Sequence, residues 1–418
     1  MGENFGEKRM GNASVMDIPP LGSHELGTEA IPSDHYSSQA FFEKEKEHIF
    51  KKTWLMAGRE SDVAEHGDFI TFFIDALETS IIVTRDKHGQ VNAFYNACTH
   101  RGAHVLNEPC GHAKFMTCGF HGWVFDSEGK LADVPGEELF GDFDKSKLGL
   151  KKVSVDVWGG FVFINLDPEP SVPLKEYLKP LNDSFDKYLG NKDWTWSYGW
   201  RSKFNANWKL LVDAQIEGYH VDQTHRNTIA GAIPGTNAPA DVYPDSIGVP
   251  ARVCAYRPEH MTGVQTDVAL LSAKHGATSL YTKSENEFSA DDGEGVLNED
   301  HPLWIFDAYL LFPNVVLFIQ KGQILVQRTL PVSPGECFWE VDFFHTGEVE
   351  DFGQLFNSEQ GRIQIRDVLT EDLYTAEGIQ MNFNAGVIKE VYINRQEIPI
   401  RAYYHRLMSA MKGTGESK

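Results

Sequence analysis

Two short segments, each with one cysteine and one histidine, constrain the fold of this chain more than any other feature. CTHRGAHV contains Cys98 and His100, and CGFHGWVF contains Cys118 and His121. Seventeen residues separate His100 from Cys118. A zinc finger places both cysteines before both histidines, so the alternating order here argues against that kind of zinc site. Two loops that each present a thiolate and an imidazole suit a centre with two unlike metal positions.

A Rieske-type [2Fe–2S] centre needs this donor set, because two thiolates bind one iron and two imidazoles bind the other. Gly102 and Gly122 stand in these loops, where the backbone must turn tightly around the sulfurs. On these residues the chain resembles the Rieske iron–sulfur family. The resemblance implies that Arg101 and Trp123 pack around the cluster. A zinc site or a structural role for these residues is the alternative.

The branch of the family is indicated by residues that this chain lacks. In respiratory Rieske proteins an additional cysteine in each loop forms a bracing disulfide, and those places are Ala103 and Phe120 here. Five cysteines, an odd number, also argue against a disulfide framework. A ferredoxin of this family would end near residue 166, whereas this chain continues to residue 418. These features favour a terminal oxygenase over an electron carrier.

The segment EGYHVDQTH places His220 and His225 five residues apart. Two histidines and one carboxylate are the usual ligands of a non-haem Fe(II) site that leaves positions open for O2 and substrate. The longer segment NWKLLVDAQIEGYHVDQTH resembles the one that supplies both histidines in Rieske oxygenase α subunits. The resemblance makes Asp372, in TEDLYTAEGIQ, the third ligand. The alternative third ligands are Glu371 and Glu377.

The same resemblance implies roles for residues near the two histidines. Glu217 would connect His220 of one chain with His121 of the next, and Tyr219 and Asp213 join it as predicted catalytic residues. A five-residue spacing turns the second histidine away from the helical face of the first. We therefore expect the helix to end or distort between the two histidines.

The activity that the resemblance implies is hydroxylation or cis-dihydroxylation of an aromatic substrate with O2. Electrons would come from NAD(P)H through a separate reductase, with or without a ferredoxin, since the chain has no nucleotide-binding glycine motif after a strand. A Rieske monooxygenase or an N- or O-demethylase is the alternative, and an electron carrier without oxygenase activity is a more distant one. The family also implies a homotrimeric core, and it leaves open whether smaller β subunits join it.

Composition excludes several other classes. The formal net charge is -22, from 60 acidic and 38 basic residues, which disfavours nucleic acid and anionic membranes as partners. No run approaches the roughly 18 apolar residues of a membrane-spanning helix. The N-terminal sequence lacks the apolar segment of a signal peptide. The expected location is cytoplasmic.

The predicted fold class is α+β. Strand-like segments dominate from Gly67 to Leu166, and longer helical segments with a second group of strands follow. The expected organisation is an N-terminal arm at 1–40, a small β-rich Rieske domain at 41–165, a catalytic domain at 166–412 and a disordered tail at 413–418. For the catalytic domain we expect a helix-grip-like antiparallel sheet surrounded by helices. The clearest predicted elements are strands at 68–74, 79–86, 303–332 and 337–347 and helices at 360–383 and 400–411.

Overall fold

Two antiparallel sheets, each of seven strands among the described residues, organise this chain. The structure is a computed structural model, and it describes residues 26–141, 144–181, 183–190, 194–230, 233, 235, 238–256, 267–268, 271, 304–320, 322–347 and 351–412. The small unit comprises the described residues of 44–176 and 186–191, and the large unit comprises those of 1–43, 177–185 and 192–418. Sheets and helices together make the predicted mixed α+β fold.

Short strands make up the small unit. Strand β1 (Ile31–Pro32) belongs to the large unit, and the small unit contains β2 (Leu55–Arg59), β3 (Asp68–Ile74), β4 (Thr79–Arg85), β5 (Val91–Tyr95), β6 (Cys110–His112), β7 (Phe115–Thr117), β8 (Val124–Asp126), β9 (Leu131–Asp133), β10 (Lys152–Trp158) and β11 (Phe161–Asn165). Its main sheet has the order β2-β11-β10-β5-β4-β3-β6, and β7-β8-β9 form a three-stranded sheet. The predicted strand at 68–74 is present with the same bounds, as β3.

The apolar core of the small unit contains the cysteines of the two cysteine–histidine loops. Cys98 and Cys118 are buried in one cluster with Phe94, Phe125 and Trp123, which come from β5, from β8 and from the turn before β8. Strand residues of this kind are β-branched or aromatic, and they favour a pleated surface that is buried on one side. The sheets therefore hold the two loops against a common core.

The large unit combines a longer sheet with helices. Its remaining strands are β12 (Thr195–Phe204), β13 (Ala240–Val242), β14 (Ala251–Tyr256), β15 (Trp304–Leu311), β16 (Val315–Gln320), β17 (Gln323–Ser333), β18 (Glu336–His345) and β19 (Glu390–Val391). The sheet order is β12-β18-β17-β16-β15-β14-β13, and β1 pairs with β19. The helices of the chain are α1 (Gln39–Glu45), α2 (Leu174–Tyr177), α3 (Asp183–Gly190), α4 (Trp208–Gln215), α5 (Val221–Thr224), α6 (Phe352–Asn384) and α7 (Ile398–Lys412).

The predicted elements of the large unit are present with shifted bounds. The apolar run at 303–332 forms three antiparallel strands, β15 to β17, and the run at 337–347 forms β18. Helix α6 begins at Phe352, eight residues before the predicted helix start at 360, because Asp351 caps its N-terminus by accepting from the backbone N–H of Gln354 at 2.8 Å. No helix in the described part of the chain is both long and apolar enough to cross a membrane.

Asn207 caps the N-terminus of helix α4 and is hydrogen-bonded to helix α6. The side chain of Asn207 accepts from the backbone N–H of Lys209 at 3.0 Å, as an N-cap does. Its own backbone N–H donates to Gln380 of α6 at 2.8 Å, and Gln380 donates to the carbonyl of Tyr36 at 3.1 Å. One buried glutamine therefore ties the start of α4 to α6 and to the segment around Tyr36.

Candidate metal centres

The loops of Cys98 and Cys118 have the same backbone hydrogen bonds. The N–H of Cys98 donates to Ala103 at 2.8 Å, and the N–H of Cys118 donates to Trp123 at 2.8 Å. Each cysteine carbonyl accepts from the glycine four residues later, and both glycines have a positive φ, 81° at Gly102 and 77° at Gly122. A residue with a Cβ is strained in that region, so glycine permits the tight turn. The turn puts the cysteine and the histidine of each loop on one site.

The side chains of these loops converge. The rings of His100 and His121 meet edge to face at 4.5 Å, and the Trp123 indole stacks on His100 at 4.8 Å. The Arg101 guanidinium lies 5.3 Å from the centre of the Phe120 ring, on the exposed side of the second loop. Trp123 therefore contacts His100, a predicted cluster ligand, whereas the Arg101 side chain contacts Phe120 of the other loop.

The two thiols fit the sulfur side of a [2Fe–2S] centre. Both cysteines are almost fully buried, at 3% and 2% exposure, and neither forms a disulfide. Burial, aided by the adjacent Cys118, raises the pKa of the Cys98 thiol above its usual range. Two buried thiols side by side are unfavourable as anions until cations neutralise them. Each loop supplies one thiol and one imidazole, and two thiols with two imidazoles are the donor set of a Rieske cluster.

His220, His225 and Asp372 form the second centre, in the large unit. The Nε2 atoms of the histidines are 3.1 Å apart, and Asp372 Oδ1 lies 3.3 Å from that of His220 and 3.0 Å from that of His225. Among the described residues, this is the group of histidine, cysteine and acidic side chains whose possible ligand atoms all lie within 4.8 Å of each other. The structure therefore brings together the two histidines and the preferred carboxylate of the sequence analysis.

This spacing fits a single metal ion. Ligand atoms about 2.1 Å from one ion and at right angles to each other lie about 3.0 Å apart. Asp372 Oδ1 is buried and has no hydrogen-bond partner among the described residues, so its proximity to the histidines is not ordinary hydrogen bonding. Three lone-pair donors that face one point match the two-histidine, one-carboxylate set of non-haem iron.

Carboxylates hold the other nitrogen of each histidine. His220 Nδ1 bonds with Glu217, and His225 Nδ1 bonds with Glu371 at 2.8 Å. Because a carboxylate accepts, Nδ1 carries the proton in the neutral form of each imidazole, and that form leaves Nε2 with a lone pair for a metal. Glu371 also accepts from Thr228 at 2.8 Å. The structure thus puts Glu371, an alternative ligand in the sequence analysis, behind His225.

The surrounding charges favour a cation at this centre. Burial lowers the pKa of His220, but Asp372 and Glu217 outweigh burial and raise it to about 10. The pKa of His225 rises for similar reasons: burial lowers it, and the adjacent Asp372 carboxylate is the largest opposing effect. Burial raises the pKa of Asp372, yet its two histidines bring it below the ordinary value. Without a metal the site holds protons, which a divalent cation would displace.

Asp213 and Tyr219, the other predicted catalytic residues, do not join the cluster of metal ligands. Asp213 accepts from the Tyr36 hydroxyl at 2.9 Å, and burial raises its pKa to about 7. The Tyr219 side chain is 59% exposed, and its backbone N–H donates to Glu217. Glu377, the weakest alternative ligand, accepts from the backbone N–H of Asn205 at 2.9 Å.

The helix before the histidines ends earlier than expected. We predicted an end or a distortion between His220 and His225, but α4 ends at Gln215, and the two histidines flank the single turn of α5. The Glu217 carboxylate accepts from the backbone N–H groups of Tyr219 and His220. These bonds replace those of a continuing helix and start a new turn.

Two glutamines that the sequence analysis missed complete the centre. Gln215 Nε2 donates to Asp372 Oδ2 at 2.9 Å, and Gln327 Nε2 donates to Gln215 Oε1 at 3.0 Å. Gln215 lies within the segment that resembles the family, but the resemblance gave it no role, and Gln327 lies within the apolar run at 303–332. Their sequence separations from the residues they contact are 157 and 112, so no local signal marks them.

Family models match both units. One described as "Ring hydroxylating alpha subunit (catalytic domain)" matches residues 191–413, and one described as "Rieske [2Fe-2S] domain" matches residues 53–144. The first alone covers more than half of the chain. The chain belongs to the α subunits of the Rieske ring-hydroxylating oxygenases. It is therefore an oxidoreductase, the terminal oxygenase of its system, and its cofactors are a Rieske [2Fe–2S] cluster and a mononuclear non-haem iron.

Relatives named for different reactions are similar to this chain over most of its length. The chain is 33% identical over 409 residues to the 2-aminobenzenesulfonate 2,3-dioxygenase subunit alpha of Alcaligenes sp., which covers 91% of this chain and 94% of that protein. It is 29% identical over 357 residues to the carnitine monooxygenase oxygenase subunit of Escherichia coli (strain K12), covering 84% and 83% respectively. Naphthalene 1,2-dioxygenase from Rhodococcus sp., bound to indole, has the same fold, with a TM-score of 0.73 at 18% identity over 96% of this chain and 98% of that chain.

Proposed function

We propose that this oxygenase hydroxylates or cis-dihydroxylates an aromatic substrate, with His220, His225 and Asp372 as the iron ligands. Cys98, His100, Cys118 and His121 would hold the [2Fe–2S] cluster. When bound, the cluster supplies single electrons and the mononuclear iron activates O2. The observation that carries the proposal is the approach of two Nε2 atoms and one carboxylate oxygen to within 3.0–3.3 Å of each other.

The residues behind the ligands prepare the imidazoles for the metal. Glu217 and Glu371 each accept an Nδ1 proton, which fixes the tautomer and the ring orientation of His220 and His225. The Glu217 side chain is only 8% exposed and is already used within its own chain. We propose that Glu217 has a second role, a contact with His121 of a neighbouring copy. This role requires the homotrimer.

The proposal includes partners, domains and location. NAD(P)H would deliver electrons through a separate reductase, with or without a ferredoxin, and co-purification tests whether β subunits join the chain. We assign residues 41–165 to the Rieske domain and 166–412 to the catalytic domain. The five cysteines are all free, which suits a reducing compartment and supports a cytoplasmic location.

A substrate of the aromatic class is supported by the 2-aminobenzenesulfonate dioxygenase relative, which is similar over nearly its whole length. The second candidate is a monooxygenase or demethylase, and the similarity to the carnitine monooxygenase subunit over 84% of the chain favours it. The same three ligands serve both reactions, so the ligand set does not separate them.

The test combines metal analysis with product analysis. Iron should amount to about three atoms per chain, two in the cluster and one at the mononuclear site. D372A and H225A should lose the third iron and keep the visible spectrum of the cluster, whereas C98A should lose that spectrum. A third iron retained in both D372A and H225A would contradict the ligand assignment.

Products from labelled O2 then separate the two reactions. The reconstituted enzyme would receive a reductase, NADH and a panel of aromatic acids, aromatic amines, hydrocarbons and quaternary ammonium compounds. Two labelled oxygens in one product support the dioxygenase. One labelled oxygen, or released formaldehyde, supports the monooxygenase or demethylase.

A further inference from the structure

The two oxygens of the Asp372 carboxylate have unlike surroundings. Oδ1 lies 3.3 Å and 3.0 Å from the Nε2 atoms of the two histidines and has no hydrogen-bond partner among the described residues. Oδ2 accepts from Gln215 Nε2 at 2.9 Å. Gln215 accepts in turn from Gln327 Nε2 at 3.0 Å. We name Gln215 and Gln327 together the amide relay.

The direction of the relay follows from the charge of Asp372. An ionised carboxylate only accepts hydrogen bonds, so Gln215 must turn its NH2 group toward Oδ2. Its carbonyl then faces Gln327, whose NH2 group is the donor to it among the described residues. The orientation of both amides is therefore determined by the carboxylate, and neither can flip without losing its bond.

We propose that the amide relay makes Asp372 a one-oxygen ligand of the mononuclear metal, with Gln215 as the positioning residue and Gln327 as its support. A carboxylate binds a metal through one oxygen or through both. The bond from Gln215 engages Oδ2 and leaves Oδ1 as the oxygen that faces the histidines. The inference rests on the proposed ligand set and adds the way in which one member of that set is held.

The relay is anchored in rigid parts of the large unit. Gln215 is the last residue of α4, and Gln327 lies inside β17, where it pairs with Val316 of β16 and Val341 of β18. Gln327 is 1% exposed and is flanked by these apolar partners. A side chain on a central strand has little freedom, so it holds Gln215 and, through it, the plane of the carboxylate.

The experiment uses the holoenzyme in which Co(II) replaces the mononuclear iron, because the cobalt signal is free of the cluster irons. The variants are Q215L and Q327L, which remove one amide each at similar volume. Q323L is the matched control, since Gln323 lies on the same strand and pairs with Gln320 and His345. D372A tests the ligand set itself. The readouts are the Co(II) dissociation constant by chelator competition, the coordination by X-ray absorption, and the cluster spectrum as a measure of intact protein.

The expected result is a dissociation constant about 10–100-fold weaker in Q215L, the usual effect of removing a group that orients a ligand. Q327L should weaken binding less, in the same direction, and Q323L should match the wild type. The wild-type spectrum should contain a carboxylate bound through one oxygen.

Wild-type affinity in both relay variants, or a carboxylate bound through both oxygens in the wild type, would overturn the relay. If Q215L does not yield folded protein, Q327L decides, because it leaves the contact with Asp372 in place. Full Co(II) binding by D372A would instead remove the proposed ligand set. Loss of binding in D372A together with wild-type binding in the relay variants refutes the relay alone.

Discussion

Replacing Asp213 with asparagine should stabilise the large unit at neutral and alkaline pH. Oδ2 of Asp213 accepts from the Tyr36 hydroxyl at 2.9 Å, and Oδ1 is buried without a hydrogen-bond partner among the described residues. Burial outweighs this hydrogen bond and the nearby charge of Lys209, and it raises the pKa of Asp213 to about 7. Asparagine has a similar shape and keeps an acceptor for Tyr36 but carries no charge.

The magnitude follows from the two pKa values of the carboxyl group. The ordinary value is about 3.9, so the folded protein holds a proton between about pH 4 and pH 7 that the unfolded chain has released. The free energy of unfolding therefore falls as the pH rises through this window. About three pKa units at 1.36 kcal/mol each give a loss of about 4 kcal/mol above pH 7, of which about 1.5 kcal/mol is already lost at pH 5. D213N lacks this loss.

Thermal unfolding of the wild type and D213N at several pH values tests the reasoning. One kcal/mol moves the midpoint by about 2–4 °C for a unit of this size, so the advantage of D213N should grow by about 5–10 °C from about pH 5 to about pH 8. Y36F is the companion variant, and it should lower the midpoint most at high pH, because the charged form loses its donor. A difference between wild type and D213N that is constant with pH would refute the argument.

Three further predictions concern the metal centres. E371L leaves His225 Nδ1 without its acceptor and should weaken metal binding about 10–100-fold, measured by chelator competition, while E371Q, which still offers an acceptor, should lose less. Metal affinity should rise with pH from about pH 6 to about pH 8 by at least tenfold per unit, because the raised pKa of His220, about 10, means that the metal must displace a proton; a flat profile above pH 7 would contradict this. W123L removes the ring stacked on His100 and should lower the free energy of unfolding of the small unit by at least about 0.5–1.5 kcal/mol, the contribution of an aromatic pair. It should also shift the reduction potential of the cluster, measured by spectroelectrochemistry. An unchanged potential and midpoint would argue against any role for the stack.

The parts of the fold that local sequence predicts are those that depend on neighbouring residues. Strand β3 was predicted with its observed bounds because alternating, bulky residues mark a half-buried strand within a few positions. The cysteine–histidine loops also depend on residues close in sequence, together with two glycines at positive φ. The early end of α4 was missed, because it depends on the side chain of Glu217 bonding with the backbone of His220 and Tyr219. Periodicity does not report such a bond.

For the candidate iron centre, the sequence predicts the possible ligands, and the fold decides which of two adjacent carboxylates faces the histidines. The resemblance pointed to Asp372 as the third ligand beside His220 and His225, and it left Glu371, the preceding residue, as an alternative. Adjacent residues on a helix point about 100° apart, so only one of Asp372 and Glu371 can face the Nε2 atoms directly. The fold puts Asp372 there and Glu371 behind His225. That choice depends on the rotation of α6, which the local sequence leaves undetermined.

The rotation and position of α6 relative to α4 are set by contacts that span the chain. Gln380 lies eight residues after Asp372, two helical turns plus about 80°, so both residues can belong to the broad face of α6 that contacts α4. Gln380 accepts from the backbone of Asn207 at the start of α4, while Gln215 at the end of α4 donates to Asp372. Two glutamine bonds, one at each end of α4, thus align the two helices along their length. Because α4 leads directly to the histidines, this alignment brings ligands about 150 residues apart in sequence to one point. The packing of the two helices therefore determines where the metal site forms, and the ligand motifs identify only the residues that bind the metal.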